Sequence, residues 1–546
     1  MTKFYKENII YQIYPASFCD SNNDGWGDLK GIISRLDYIK SLGANIIWLS
    51  PIYESPMVDM GYDVSDYKKI NSHFGTMKDF DELMANCKKL GIKVIMDLVV
   101  NHTSTQHKWF KEAINNPTTK YRDYYYFEKG KGKNYNKKPN NWQSCFAGSA
   151  WEKIENEKGL YYLHLYDKEQ ADLNYKNENV ISEVENIMQF WLEKGVYGFR
   201  CDVISNLYKE DLSKGKFRLN QIGREHYENT QGNHRLLYRF RHEIVNRYNG
   251  ILIGEIPSAT PEILNEYIKN KELEMGFSFE HQEIDKVKIL PIFRKRFSSS
   301  KFIKTLFKYQ RECLYCANYF ENHDQERILY RFFKKKNREY GAKAYATLLL
   351  TLKGTPFIYQ GQEIGMSNDY NSLTNIYQSK DIAAHNVYET AKKFHIPEKL
   401  AFYFSKNIMR DFSRSPMQWN DRINAGFNDG WASWSKVNHD YLNDNVNVEY
   451  EQNDKNSILN FYKKMINIRL KCDSLINGEF KQIKSFPWVA CFIRETKKEK
   501  ILVVINLSNI KTRFKYVGDR KLLLSNYEDD FNKMLPPYFA GVYIIP

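Results

Sequence analysis

The chain has 546 residues, and its 80 Lys and Arg against 66 Asp and Glu give a formal net charge of +14. Hydrophobic residues make up 42% of the sequence and aromatic residues 15%, which excludes an intrinsically disordered chain and suffices for a large core. No apolar run reaches the ~18 residues of a membrane helix, and the N-terminus lacks a signal-peptide pattern. We therefore expect a cytoplasmic protein with no membrane partner.

The basic residues are scattered and accompany no nucleic-acid-binding motif, so we expect no nucleic-acid partner. The eight cysteines are too few for a disulfide scaffold in a chain this long. Cys313 and Cys316 form a CxxC pair, but no second pair or nearby His completes a zinc site. Reduced, mostly buried thiols are the expectation.

Short apolar runs alternate with helix-period segments through the first two-thirds of the chain. The predicted strands are Ile9–Tyr14, Asn45–Leu49, Lys93–Val100, Tyr197–Val203, Ile251–Glu255, Gly276–Glu280, Ala317–Phe320 and Thr355–Tyr359. The clearest predicted helices are Leu29–Leu42, Met77–Leu90, Val180–Lys194 and Tyr340–Leu352. Eight strand–helix units predict an α/β fold, and suit a closed (β/α)8 TIM barrel better than a doubly wound sheet.

Two regions interrupt this pattern. Residues 103–170 are rich in Tyr, Asn, Lys and Gly, show no clear helix, and are too long for an ordinary loop. Beyond about residue 476 the sequence turns to short alternating strands, including Trp488–Arg494, Ile501–Leu507 and Tyr538–Ile545. We predict a barrel of residues 1–102 and 171–476, an inserted domain of residues 103–170, and a C-terminal antiparallel β-sandwich of residues 477–546.

Chemistry-bearing residues follow four of the predicted strands, where a barrel places its active site. They are Asn101 and His102, Arg200 and Asp202, Glu255, and the run Asn322–Asp324. Arg200 and Asp202 share a strand face, so the guanidinium is expected to keep Asp202 ionised. Two nearby negative charges favour the protonated form of Glu255. A carboxylate, a carboxylic acid and a third acid, Asp324, suit cleavage of a glycosidic bond.

These four clusters resemble the signature regions of the α-amylase family, glycoside hydrolase family 13. Further segments, Tyr11–Ile32, residues 60–67, 161–174, 354–366 and 413–419, resemble its oligo-1,6-glucosidase and α-glucosidase branch, and the likeness spans essentially the whole chain. The resemblance implies a retaining enzyme with Asp202 as nucleophile, Glu255 as acid/base and Asp324 as the third carboxylate. It also implies substrate-binding roles for Asp59, Tyr62, His102, Tyr166, Gln170, Arg200, Val203, His323 and Arg414.

The segment from Asp20 to Asp28 spaces oxygen-bearing residues like the first part of a calcium loop, although position 12 is Gly31 rather than Glu. The alternative is an Asx-rich turn without metal. Resemblance to the branch favours a structural Ca²⁺ or Mg²⁺. The predicted ligands are Asp20, Asn22, Asp24, Trp26 through its backbone, and Asp28.

Val203 follows the predicted nucleophile. In the branch that the chain resembles, Val at this position accompanies a preference for α-1,6 bonds, whereas Thr accompanies a preference for α-1,4 bonds. We therefore expect an exo-acting oligo-1,6-glucosidase, a monomer acting on small oligosaccharides without an organic cofactor. An α-1,4-acting α-glucosidase is an alternative, and so is a trehalose-6-phosphate hydrolase. The latter would use the basic residues Arg294, Lys295, Arg296 and Lys301 for phosphate; otherwise they form a solvated face.

A non-enzymatic, transporter-associated barrel is a remote alternative, since it would need a membrane helix and altered catalytic positions. The sequence departs from the family pattern at three places near the predicted site. Glu326 replaces the usual Pro, Asn420 the usual Asp, and Cys201 the more common Met. None of these changes removes a predicted catalytic group.

Overall fold

The computed structural model describes residues 7–287, 292–332, 337–430, 432–531 and 533–546. Its central sheet has eight parallel strands: β1 (Ile10–Ile13), β2 (Ile46–Leu49), β3 (Lys93–Leu98), β4 (Gly198–Cys201), β5 (Ile251–Glu255), β6 (Met275–Phe277), β7 (Ala317–Asn318) and β8 (Thr355–Tyr359). Their hydrogen-bonded order is β6-β5-β4-β3-β2-β1-β8-β7, and β6 and β7 lie beside each other. The strands thus follow chain order around a closed barrel, as predicted.

Six of these eight strands are shorter than the predicted apolar runs, whereas β5 and β8 have the predicted bounds. β7 covers only two of the four residues predicted there, and β4 begins at Gly198 and ends at Cys201. A Cβ on Gly198 would lie 2.1 Å from the carbonyl oxygen of Ile251, so glycine permits the close approach of β4 and β5. Asp97, Arg200 and Glu255 lie in the last residues of their strands, whereas Asp202 and Asp324 lie in the loops at the barrel mouth.

Side chains alternate between the two faces of each strand. The inward face supplies the apolar interior of the barrel and, at the strand ends, polar residues that also point inward. Ile10, Ile46, Trp48, Ile95, Ile253 and Phe277 belong to one buried cluster inside the barrel. Asp97 lies two residues after Ile95, and Glu255 two residues after Ile253, so each shares the inward face of its strand. The core of the barrel therefore ends in a layer of acidic side chains at its C-terminal mouth.

Helices surround the barrel and fill the connections. Their bounds are Leu29–Ser34, Leu36–Leu42, Met77–Leu90, Lys108–Asn115, Glu178–Glu193, Gln231–Arg239, Pro261–Lys269, Ser299–Glu312, Ile328–Phe332, Arg338–Thr351, Ile382–Lys393, Glu398–Lys406, Asp440–Asn443, Val448–Asn453, Ile458–Lys471 and Asp473–Asn477. The predicted helix Leu29–Leu42 is two helices, because Arg35 leaves helical geometry at φ −113° and ψ 8°. No helix in the described ranges is long and apolar enough to span a bilayer.

The inserted region contains more regular structure than its composition predicted. Phe127–Lys129, Trp151–Lys153 and Leu160–Leu163 form a small antiparallel sheet. The expectation of no clear helix was wrong, since Lys108–Asn115 is helical. Its N-cap is His107, whose imidazole accepts a hydrogen bond from the backbone of Trp109, and it buries Trp109, Phe110 and Ala113. Histidine is not a usual N-cap residue, and the helix has only eight residues, so the sequence gives a weak signal for it.

An antiparallel strand pair joins the insertion to the barrel, with Gln170–Asp172 hydrogen-bonded to His102–Ser104. A second pair consists of Tyr53–Glu54 and Asp66–Ile70. The C-terminal region forms a five-stranded antiparallel sheet of Glu479–Gln482, Val489–Glu495, Lys500–Asn506, Ala540–Ile545 and Lys521–Ser525, in that order, with the separate pair Thr512–Arg513 and Met534–Leu535. This agrees with the predicted antiparallel C-terminal region.

Candidate active site

Arg200 is the charged centre of one side of the barrel mouth. Its Nη1 lies 2.5 Å from Asp97 Oδ1 and 2.8 Å from Asp202 Oδ1, and its Nη2 lies 2.6 Å from Glu255 Oε2. The guanidinium also lies 5.2 Å from the ring centre of Trp48. One buried cation therefore holds three carboxyl groups from β3, β4 and β5, which we call the Arg200 side of the pocket.

The protonation of Asp202 differs from the sequence expectation. Burial raises its pKa well above the usual range; Arg200 lowers it in the direction we predicted, and the contact with Glu255 raises it again. Burial also raises the pKa of Asp97 to about 6, against the opposing effect of Arg200. A single guanidinium does not compensate three buried carboxyls, so this side of the ligand-free pocket favours a retained proton.

Asp324 lies on the opposite side of the pocket. Its Oδ1 is 2.8 Å from Arg414 Nη2 and 3.4 Å from Arg410 Nη1, and its Oδ2 is 3.0 Å from His323 Nε2. Burial by itself would raise the pKa of Asp324, but His323, Arg410 and Arg414 together bring it well below its usual range. Asp324 is therefore a fixed negative charge.

Arg410 is a site residue that the sequence analysis missed. Its Nη2 bonds Asp59 Oδ1 at 2.9 Å and Asp381 Oδ1 at 2.7 Å, while its Nη1 faces Asp324. Asp381 also caps the helix Ile382–Lys393. Arg410 follows no barrel strand, so the strand-end rule could not find it; its position four residues before Arg414 was the available signal. We call this group the Arg410–Arg414 side.

His323 and Tyr62 form the floor between the two sides. Their rings are parallel, with 5.3 Å between centroids and 1° between planes, and His323 Nε2 lies 2.6 Å from the Tyr62 hydroxyl. Tyr62 also donates to Asp97 Oδ2 at 3.1 Å, which connects the two sides. Burial lowers the pKa of His323 to about 4, so the imidazole is neutral near pH 7.

Gln170 and His102 complete the wall formed by the insertion. Gln170 Nε2 donates to Asp59 Oδ2 at 3.2 Å and to the backbone oxygen of Tyr62 at 3.1 Å. His102 Nε2 lies 2.9 Å from that same backbone oxygen. Tyr166 stands 5.4 Å from the His102 ring and is only partly buried, so it reaches the open part of the pocket.

Val203 contributes its backbone as well as its side chain. Its N–H donates to Glu255 Oε2 at 3.1 Å, and its φ is +38°. A β-branched residue in the left-handed region is strained, and such strain concentrates at functional sites. The conformation aims the amide of the residue after Asp202 at the predicted acid/base.

Lys209 and Asp172 form a second feature that the sequence analysis missed. Lys209 Nζ lies 2.5 Å from Asp172 Oδ2 and 3.0 Å from Asn101 Oδ1, and both charged side chains are fully buried. The pair joins the loop after β4 to the strand Gln170–Asp172. It lies behind the pocket wall, where it fixes the segment that carries Gln170.

The predicted metal loop lies apart from the pocket carboxylates and is tightly hydrogen-bonded. Asp20 accepts from the backbone of Asn23 and Gly25, Asp24 from that of Trp26, and Asp28 from that of Ser21 and Gly31. Oxygen donors of this kind suit Ca²⁺, and Asx turns occur in calcium loops and in metal-free turns alike. Within the described segments, no three Asp, Glu, His or Cys side chains gather as metal ligands. The metal site stays a prediction.

The comparisons with known proteins agree with this geometry. The sequence model for "Alpha amylase, catalytic domain" matches residues 12–478. The chain belongs to the α-amylase family. It is 40% identical to an oligo-1,6-glucosidase of Parageobacillus thermoglucosidasius, with 99% of each chain covered.

Solved structures of the family give the same result for the fold. A trehalose-6-phosphate hydrolase of Bacillus licheniformis aligns with a TM-score of 0.91 at 39% identity and 99% coverage of both chains. An isomaltulose synthase of Klebsiella sp. LX3 aligns with a TM-score of 0.94 at 34% identity, over 100% of this chain and 99% of the other. Relatives with three different enzyme names thus share one architecture with this chain.

Two of the departures from the α-amylase-family pattern have clear structural partners. Glu326 Oε2 pairs with Arg294 Nη1 at 2.8 Å, and its other oxygen accepts a hydrogen bond from the Tyr370 hydroxyl. Cys201 is buried and points away from Arg200 on its strand. The structure thus gives the unusual Glu326 a defined role, which is to neutralise Arg294.

Proposed function

We propose that the protein is a retaining exo-α-glucosidase that hydrolyses terminal α-1,6-linked glucose from short isomalto-oligosaccharides. The observation that carries the proposal is the placement of Asp202 and Glu255 on the same guanidinium, with Asp324 held ionised across the pocket. One shared proton opposite a fixed negative charge suits double displacement at an anomeric carbon.

In the proposed reaction, Asp202 attacks the anomeric carbon as its carboxylate, and Glu255 protonates the leaving glycosidic oxygen. Glu255 then removes a proton from water, which displaces Asp202 from the glucosyl carbon. Asp202 must be ionised when it attacks, so the proton that the Arg200 side retains has to leave Asp202 once substrate is bound. Arg200 stabilises the negative charge that remains on Asp202.

The exo mode is supported by the closed end of the pocket. Arg410 joins Asp59 to Asp324 and Asp381, and Gln170 closes against Asp59 from the insertion. Charged side chains that bond one another across this end suit contacts with sugar hydroxyls rather than the passage of a continuing chain. The pocket therefore takes the non-reducing end of a substrate.

The preference for an α-1,6 bond is supported by Val203 and by the oligo-1,6-glucosidase relatives. Val203 is buried beside Asp202 and Glu255, where its branched apolar side chain limits the leaving-group subsite. A threonine at this position would add a hydroxyl next to the scissile bond. Val203→Thr is thus the matched test of bond preference.

A trehalose-6-phosphate hydrolase is the second candidate, because a relative of that name aligns over the whole chain. It would use the basic stretch after β6, but Arg294 there is already paired with Glu326 and bonded to the Asn407 carbonyl at 2.9 Å. Lys295, Arg296 and Lys301 are exposed. These contacts favour an uncharged substrate over a phosphorylated one.

The deciding experiment compares hydrolysis of isomaltose, maltose and trehalose-6-phosphate by purified protein, with Asp202→Asn as the inactive control. We expect the highest kcat/KM for isomaltose and a shift toward maltose in Val203→Thr. A preference for maltose in the unmodified protein would assign α-1,4 specificity. A preference for the phosphorylated sugar would replace the proposed substrate class while leaving the catalytic carboxyls in place.

We further propose that the loop Asp20–Asp28 holds a structural Ca²⁺ or Mg²⁺ through Asp20, Asn22, Asp24, the Trp26 carbonyl and Asp28. The all-oxygen donor set supports this, and the ion would stabilise the loop without entering the reaction. We also propose a cytoplasmic monomer. The eight free cysteines support a reducing compartment, and light scattering would test the monomer.

A further inference from the structure

The pair Cys313 and Cys316 takes no part in the proposed reaction and lies at the opposite end of the barrel from the pocket. Cys313 follows the helix Ser299–Glu312, and Cys316 precedes β7. The Cys313 N–H and the Cys316 thiol both donate to the carbonyl oxygen of Tyr309, at 2.8 and 3.6 Å. Each thiol also shifts the pKa of the other. The turn therefore brings the two cysteines together around one carbonyl oxygen.

The surroundings of Cys316 are strongly cationic. Arg494 reaches in from the C-terminal sheet to the carbonyl oxygens of Thr351 and Gly478. Arg469 bonds the carbonyl oxygens of Leu350 and Gly354. Both guanidiniums are fully buried, and neither forms an ion pair with any carboxylate in the part of the chain that the structure describes. Two buried cations without an acid partner favour negative charge nearby.

The Cys316 thiol is placed to carry that charge. Hydrogen bonding from Cys313 lowers the pKa of Cys316 against the effect of burial, and Lys353 and Arg494 lower it further. Burial raises the pKa of Cys87 and Cys491, which lack such partners, to about 12. Since the thiolate is the reactive form, Cys316 differs in kind from those two thiols.

A small internal cavity reaches Cys316. It has a volume of about 30 Å³ and is lined by Cys316 together with polar groups that include Ser278, Gln310 and Asn318. One water needs about 10–15 Å³ measured in this way, so one or two molecules of water size fit there. Hydrogen peroxide, which is little larger than water, therefore fits in the space beside Cys316, whereas a bulky disulfide reagent does not.

We propose that Cys313 and Cys316 form an oxidation site for hydrogen peroxide, which converts the pair into an intramolecular disulfide. The Cys316 thiolate attacks one peroxide oxygen, giving a sulfenic acid and hydroxide. The Cys313 sulfur then attacks the sulfenic sulfur; its proton and the departing hydroxyl leave as water. Two thiols lose two electrons, and the peroxide gains them. Cys316 is the attacking residue and Cys313 the resolving one.

The test treats the purified, reduced protein with hydrogen peroxide and measures intact mass, free thiols after denaturation, and the linked peptides. We expect a loss of about 2 Da, the mass of two hydrogen atoms, as the dithiol becomes a disulfide. The thiol count should fall from eight to six, with the new link between Cys313 and Cys316. Eight remaining thiols, or a first link elsewhere, would overturn the proposal.

Variants separate the two roles. Cys313→Ser should accumulate a sulfenic acid on Cys316 that a dimedone probe captures, and Cys316→Ser should abolish both the disulfide and the fast reaction. Cys87→Ser is the matched control, since it removes another buried thiol and should leave the reaction unchanged. Fast labelling of Cys313 in Cys316→Ser would contradict the assigned order. The measurement on the unmodified protein stands even where a variant fails to fold.

Discussion

The two sides of the pocket hold equal numbers of carboxyl groups but different numbers of arginines. On the Arg200 side, Asp97, Asp202 and Glu255 share one guanidinium. On the Arg410–Arg414 side, two guanidiniums serve three carboxyls, those of Asp59, Asp324 and Asp381. Asp324 is also the most exposed of these six side chains, at 22%, so both the cation count and the exposure distinguish it from the carboxyls on the Arg200 side.

The predicted nucleophile and the third carboxylate therefore have pKa values that are shifted in opposite directions. The pKa of Asp202 is raised because burial outweighs its one cation, while that of Asp324 is lowered because two arginines and His323 outweigh burial. The Arg200 side can therefore hold and transfer a proton. On the Arg410–Arg414 side Asp324 keeps its charge while the sugar binds, although burial raises the pKa of Asp59 against the effect of both arginines. Substitution of individual residues on either side tests this difference.

The largest effect is expected from Asp202→Asn, which keeps the shape of the Arg200 side but removes the nucleophile. We expect kcat for isomaltose to fall by about 10⁴-fold or more. Azide added to Asp202→Ala should restore turnover and yield the glucosyl azide of inverted configuration. Substantial hydrolysis by Asp202→Asn without azide would reject the proposed nucleophile.

Arg410→Ala should weaken the opposite side by removing the cation shared by Asp59, Asp324 and Asp381. Leaving buried carboxylates unpaired costs about 3–5 kcal/mol, so kcat/KM should fall by about 10²-fold or more. With one cation lost, the pKa of Asp324 rises toward its usual range, whereas the acidic limb of the pH profile should stay in place, because it follows Asp202 with its raised pKa. Arg410→Lys should recover part of the activity; a limb that moves to higher pH in Arg410→Ala would show that Asp324 sets it.

His323 allows a test of stability rather than activity. Burial lowers its pKa to about 4 in the folded protein, against about 6.5 in an unfolded chain. The unfolded state therefore takes up a proton first, and stability falls as the pH drops from about 6.5 to about 4, by about 3 kcal/mol in total. Urea unfolding across this range should give a steeper pH dependence for the unmodified protein than for His323→Gln.

Glu326→Gln should change specificity by a smaller amount, because it frees Arg294 without touching the catalytic carboxyls. We expect the ratio of activity on trehalose-6-phosphate to activity on isomaltose to rise by at most about tenfold, as fits a partly exposed ion pair. Lys295→Gln serves as control, since its exposed charge should not affect the ratio. An unchanged ratio in Glu326→Gln would place Arg294 outside the substrate path.

The smallest effect is expected from removal of the proposed metal ion. Treatment with EGTA or EDTA should lower the melting temperature by a few degrees, and added Ca²⁺ or Mg²⁺ should restore it, since a ligand of the folded state stabilises it. kcat on isomaltose at low temperature should not change. A melting temperature insensitive to both chelators and cations would favour the metal-free Asx turn.

The sequence predicted the barrel well because its strands are apolar runs followed by polar clusters, a pattern local in the chain. It also predicted the residues at strand ends, such as Asp202 and Glu255. It missed Arg410 and Lys209, which lie in loops and acquire their partners only through tertiary contact. It also misjudged the charge state of Asp202, because burial is a property of the folded protein that spacing does not encode.

The Lys209–Asp172 pair has a consequence for recombination between related chains. The insertion leaves and re-enters the barrel through two adjacent strands, so its ends are close enough for exchange as a cassette. Any chimera that takes the strand Gln170–Asp172 from one parent and the loop after β4 from another must match residues 172 and 209 as a set. A chimera with mismatched residues at 172 and 209 would leave an ammonium or a carboxylate unpaired in the protein interior. It would fail to fold before its specificity could be measured.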